Sequence, residues 1–75
     1  MLIEFDSAKR ENTLLSRGLD FADAPKIFAG QHFTLADERV DYGEERFVSV
    51  GRLVERVVVL TWTPRAEVRR ITSMR

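Results

Sequence analysis

The arginines between Arg46 and Arg75, among them Arg46, Arg70 and Arg75, are the side chains of this chain best suited to chemistry, and arginine rather than lysine tilts that chemistry towards phosphate. A guanidinium is a planar fork that holds two oxyanion oxygens at once and stays charged at any working pH. From Arg46 to Arg75 there are seven arginines against two glutamates, a formal +5, whereas residues 1–45 carry five Lys/Arg against ten Asp/Glu, a formal −5. The net charge of zero hides a dipolar chain, whose basic part calls for an anionic partner or a solvated face.

The elements that must position these arginines centre on Val57–Thr63, seven uncharged β-branched, aliphatic and aromatic residues. A run this short and rich in β-formers reads as a strand covered on both faces. Phe47–Val50 precedes it and Val68–Met74 follows. The turns fall at Gly51–Glu55 and at Thr63–Glu67, where Pro64 ends the ladder because it has no N–H to donate. The result is an antiparallel meander with the apolar strand in the middle. Strict alternation along the last strand puts Arg69, Ile71, Ser73 and Arg75 on one face. Val68, Arg70, Thr72 and Met74 take the other, so Arg70 and Arg75 diverge unless a bulge intervenes.

Upstream, Leu2–Phe5 alternates weakly as a short edge strand. Asp6 is an N-cap for a helix over about residues 7–17 that Gly18 stops in the left-handed conformation. Its spacing directs Ala8, Glu11/Asn12, Leu15 and Leu19 to one side, with Leu14 beside them, and Lys9, Arg10 and Ser16 away. Asp20 or Asp23 caps a second helix with the apolar stripe Phe21, Ala24, Ile27 and Phe28; Pro25 fits its first turn if Asp23 is the cap. Gly30 ends it. Gln31–Ala36 is a strand candidate with Phe33 and Leu35 on one face, and residues 37–45 form an acidic loop turning at Gly43. The order β-α-α-β-β-β-β predicts a small α+β domain, two N-terminal helices packed on a small antiparallel sheet, spanning residues 1–75.

Seventy-five residues bury one small core. The chain has no cysteine, which removes disulfides and cysteine-based zinc sites and suits a cytoplasmic protein. One histidine and loop acids without calcium-loop spacing leave no metal constellation, and no cofactor is expected. No apolar run approaches the roughly 20 residues needed to span a bilayer, so no membrane association is expected.

Three stretches carry a family resemblance. The first is Ile3-Glu4-Phe5-Asp6 with Lys9, then Arg17-Gly18-Leu19-Asp20-Phe21 with Ala24, Ile27 and Phe28. The second is Gly43-Glu44-Glu45-Arg46-Phe47 with Gly51, and the third Arg70-Ile71-Thr72-Ser73-Met74-Arg75. In this order they resemble the BrnT family of type II toxins, ribonucleases with a RelE-like fold. The resemblance implies a cytoplasmic toxin that cleaves RNA and stops translation. It also implies an antitoxin similar to BrnA, with a ribbon-helix-helix domain, through which the complex contacts DNA. Two departures stand out. Arg17 occupies the family's usual histidine position, so no role for that imidazole carries over. The sequence stops at Arg75, where the family continues into a basic C-terminal helix, so the expected fold lacks that helix.

RNA is cut without a metal when its 2′-OH attacks the adjacent phosphate, which takes a base, an acid and cations for the charge on the phosphorane. Arg46 and Arg70 are candidates for the last task, with Lys9 to position the phosphate or move a proton. His32, the one imidazole of the chain, is a candidate acid or base, although a solvated strand residue is its plainer reading. Glu44 and Glu45 are further bases on a loop. Arg69, Ser73 and Arg75 are candidates for holding the RNA, whereas Trp62 reads as core rather than as a base-stacking platform. The competing reading is a non-catalytic module that binds a partner protein and helps it repress DNA.

Overall fold

A computed structural model describes residues 2–39, 41 and 43–75. The elements are β1 (Leu2–Glu4), α1 (Ser7–Arg17), one 3-10 turn (Phe21–Asp23), α2 (Ala24–Ala29), β2 (His32–Ala36), β3 (Phe47–Leu53), β4 (Arg56–Arg65) and β5 (Val68–Met74). The α+β class and the element order are those expected. The sheet is mixed rather than wholly antiparallel: its order is β1-β5-β4-β3-β2, and β1 pairs parallel to β5 while the other neighbours are antiparallel. The acidic loop includes Val40 and Tyr42, which lie outside the described residues.

Local chemistry sets the element ends. The Asp6 carboxylate accepts the Lys9 N–H at 3.0 Å, and Gly18 closes α1 at φ 67° with its N–H on the Leu14 carbonyl. Of the two aspartates weighed as caps, only Asp20 caps through its side chain; Asp23 takes the N-cap position of α2 without a side-chain hydrogen bond. Asp20 caps the 3-10 turn through the Ala22 N–H at 2.9 Å, and Asp23 precedes α2 with Pro25 in its first turn.

One face of the sheet is covered. Leu19, Phe21, Ala24 and Ile27 pack on Val58, Leu60, Trp62, Ile71 and Met74, all nine buried. Trp62 is the hub. Phe47 stacks on it at 5.0 Å, Phe28 meets it edge-on at 5.9 Å, and its indole N–H donates to Ser49 Oγ at 2.8 Å. Ser49, itself fully buried, pairs with Thr34 Oγ1 at 2.7 Å, so a polar chain crosses three strands beneath the helices and leaves the indole N–H satisfied. On the opposite face Phe33, Leu35 and Val57 remain exposed.

Three details correct the expectations. Gly51 lies inside β3, not in a turn, because a β-carbon there would come within 2.7 Å of Ile27 Cγ2; its absence lets α2 settle on the sheet. The hairpins instead turn at Val54–Glu55 and Ala66–Glu67, with Val54 at φ 57° and Ala66 at φ 56°. Pro64 stays within β4, opposite Arg69. It is tolerated because β3 begins opposite Trp62, so beyond that point β4 has a strand neighbour on the β5 side alone.

These positions predict opposite stability effects. Gly51→Ala should destabilise the fold by about 1–3 kcal/mol through overpacking. Val54→Gly, which relieves a β-branched residue of a left-handed backbone, should stabilise it by about 1 kcal/mol. Urea or thermal unfolding of the two variants beside wild type checks both signs.

Candidate functional site

The arginines are sorted by one irregularity. Along β4 and β5 the pairs run Leu60–Met74 and Thr61–Ser73, then shift to Trp62–Ile71, Thr63–Arg70 and Pro64–Arg69. Thr72 is the extra residue, and its hydroxyl donates to the Thr61 carbonyl at 3.1 Å. The bulge breaks the strict alternation and corrects the expected grouping. Ile71 and Met74 both point into the core. Arg69 shares their face: its guanidinium lies 3.8 Å from the Phe28 ring centre and 4.9 Å from that of Trp62. Burial there lowers its pKa. Arg70, Ser73 and Arg75 are left together on the face away from the helices. Arg75 belongs there because its backbone pairs with Val59, one residue on from the Leu60–Met74 pair.

Arg46 falls in line with Arg70. Phe47 opposes Trp62, so Arg46 stands one step further, beside Thr63, whose other neighbour is Arg70; Arg70 in turn opposes Glu4. The row runs from Arg46, just before β3, through Thr63 of β4 and Arg70 of β5 to Glu4 of β1. Strands are about 4.8 Å apart, so Arg46 and Arg70 start roughly 10 Å apart, within reach of one phosphodiester for two extended guanidinium arms. Acids stand at both ends of the row. Glu4 lies 3.5 Å from Arg70, and Arg46 lines a hollow of about 340 Å³ with Asp37, Glu38, Asp41, Glu44 and Glu45.

Lys9 joins this region from α1. Among the described residues β1 pairs only with Val68–Arg70 and no strand flanks that side of β5 beyond Arg70, where α1 stands instead. Lys9, Asn12, Thr13, Ser16 and Arg17 face Thr72, Ser73 and Met74 across a cleft of about 280 Å³. This reverses the expected orientation of α1. Its polar stripe turns inward, none of its residues is buried, and Leu15 is 87% exposed. The reason is that the 3-10 turn and α2 already fill the core, so α1 docks by polar contacts. Arg10 grips Asp20 with Nε at 2.7 Å and Nη2 at 3.0 Å, and Arg17 donates to the Met74 carbonyl at 3.1 Å. Asn12, Ser16 and Arg17, which line this cleft with Lys9, were not among the expected candidates. Their signal was the helical spacing they share with Lys9.

His32 is not brought to this region. It sits on β2, three strands from β5 and so roughly 14 Å away, on the helix side of the sheet. Its Nδ1 is 2.9 Å from the Gly30 carbonyl and its ring meets Phe28 edge-on at 5.5 Å. Among the described residues no group of acids and histidine is arranged to hold a metal, and no helix is long and apolar enough to cross a membrane.

A family model described as the ribonuclease toxin BrnT of type II toxin–antitoxin systems matches residues 5–75. No curated protein matches the chain.

The clamp that holds α1 is pH-sensitive. The Arg10 guanidinium, followed by the Ala22 N–H, lowers the Asp20 carboxyl from 3.8 to about 2. A depressed carboxylate stabilises the fold fully above its unfolded value and loses that contribution as pH falls towards the folded one. Asp20→Asn should therefore lower Tm at pH 7, and the gap from wild type should close between about pH 4 and pH 2, as read by thermal unfolding across that range.

Proposed function

The chain belongs to the BrnT family of ribonuclease toxins of type II toxin–antitoxin systems, and from that membership we propose that it is a metal-independent endoribonuclease that inhibits translation in the cytoplasm. Its partner is an antitoxin similar to BrnA with a ribbon-helix-helix domain, and contact with DNA runs through that antitoxin. The observation that carries the reading is the bulge at Thr72, which turns Arg70, Ser73 and Arg75 onto one face in line with Arg46. Arg46 and Arg70 hold the scissile phosphate and take up the charge of the phosphorane as the 2′-OH attacks. Lys9, at the neighbouring cleft, positions the phosphate or transfers a proton, while Ser73 and Arg75 hold the chain. Arg69 supports the site from beneath, as a cation over Phe28 and Trp62, rather than by touching RNA. An acidic segment of the antitoxin neutralises the toxin by covering the arginine face.

A second reading has its own observation. Arg17 replaces the family's usual histidine and is engaged with the Met74 carbonyl, and His32 lies far from the arginine row. A site without an imidazole at hand fits a non-catalytic module that keeps the toxin fold to bind the antitoxin and assist repression.

Incubating the purified chain, freed of any partner, with total RNA in the presence and absence of EDTA separates the two. Cleavage that survives EDTA supports the ribonuclease; intact RNA with a folded chain that still binds the antitoxin supports the module. For the ribonuclease, Arg46→Ala and Arg70→Ala should each slow cleavage by about 10- to 1,000-fold without a matching loss of Tm. Glu4→Gln, which releases Arg70 from its ion pair, should leave cleavage intact or raise it. Unchanged cleavage in both arginine variants would remove them from the mechanism.

A further inference from the structure

We propose that two copies of this chain associate through β2, strand to strand about a two-fold axis at Thr34, to make one continuous ten-stranded sheet. The inference does not rest on the ribonuclease reading: it is argued from the β2 edge alone, and of the arginine row only Arg46 comes near it, through the Asp37 N–H.

The starting point is an edge with no protection. β2 ends the sheet order and has a strand neighbour in β3 only. Natural edge strands are guarded by shortness, charge, proline or a bulge. The opposite edge has such guards: β1 is three residues long and carries Glu4. β2 has none of them. His32-Phe33-Thr34-Leu35-Ala36 contains no formal charge at neutral pH and no proline, and pairs with β3 in unbroken register.

The backbone shows which groups are unsatisfied. The Asp37 N–H donates to the Arg46 carbonyl, so residue 37 is in a hydrogen-bonded pair with β3. In an antiparallel ladder such pairs alternate, which turns Leu35 and Phe33 towards β3 and the N–H and C=O groups of His32, Thr34 and Ala36 to the free edge.

The sequence fits a second copy of itself. Centred on Thr34, antiparallel pairing sets His32 against Ala36, Phe33 against Leu35 and Thr34 against Thr34 of the partner copy. All three outward residues then find hydrogen-bonding partners, and no like charges meet. Phe33 and Leu35, 59% and 63% exposed, lie on the open face and become cross-strand neighbours of Leu35 and Phe33 of the other copy. An interface of two five-residue strands is smaller than a standard stable one, so the expected product is a concentration-dependent monomer–dimer equilibrium.

Two measurements on the full chain test this. In sedimentation analysis from micromolar to millimolar concentration, the mass should rise from 8.7 kDa towards twice that value. In amide hydrogen exchange over the same range, the His32, Thr34 and Ala36 amides should slow as concentration rises, while Phe33 and Leu35 stay protected throughout. Thr34→Pro removes an N–H that faces the free edge, keeps the backbone ladder to β3 while giving up the Thr34–Ser49 hydroxyl contact, and should keep the chain monomeric. Three results would each overturn the proposal. One is a monomer across the whole range, another a dimer whose three edge amides exchange as in the monomer, and the third a folded Thr34→Pro chain that dimerises like wild type.

Discussion

The indole of Trp62 is the group on which the arrangement of this molecule depends. It is the largest side chain in the core, and it must pack between Phe28 of α2 and Phe47 of β3 while its N–H finds an acceptor. Phe47 and Phe28 fix its plane, and Ser49 takes the N–H. The register of β5 changes at this residue. Trp62 pairs with Ile71 rather than with Thr72, so that Ile71 and Met74 can both reach the core. A two-residue alternation cannot bury positions 71 and 74 together; one extra residue between them can. The bulge is thus a packing solution first. The gathering of Arg70, Ser73 and Arg75 on the open face follows from it.

The same geometry divides the arginines by task. Arg69, on the covered face, spreads its guanidinium over Phe28 and Trp62 and closes the core at the rim. Arg10 and Arg17 tie α1 to the body through Asp20 and the Met74 carbonyl, and Arg56 donates to the Arg17 carbonyl at 3.1 Å. Arg46, Arg70 and Arg75 remain on the open side. The formal +5 of the chain from Arg46 onward is therefore not one surface: part of it is internal scaffolding, and a smaller set faces outward in a row where anion binding is geometrically feasible.

Much of this was legible in the sequence. The bounds of α1 followed from Asp6 and Gly18, the meander from the apolar run before Pro64, and the family from motifs spread along the chain. What was hidden has physical causes. A bulge leaves no compositional mark, so the faces of Arg69 and Arg70 could not be assigned by counting. Gly51 looked like a turn residue because glycine signals conformational freedom and close approach alike, and only the neighbouring Ile27 decides between them. The inward side of α1 was misjudged because amphipathic reasoning assumes that a helix docks by its apolar stripe. Here the core was already filled, and ion pairs and hydrogen bonds chose the other side.

Among the described residues the helices cover one side of the sheet and leave the second side bare. The bare side here is not polar in the way a solvated sheet face usually is. Phe33, Leu35 and Val57 stand exposed, with Val48, Val50 and Val59 beside them, and the cationic row lies at one end. Apolar area of this kind lowers free energy only when something displaces its water, whereas the arginines gain most when a desolvating partner brings anions to them. Both parts of the face therefore favour contact over solvent. A surface of that character has a physical reason to be occupied, which suits a family whose members act with an antitoxin, and the uncharged edge at β2 extends the same logic to a second copy of the chain.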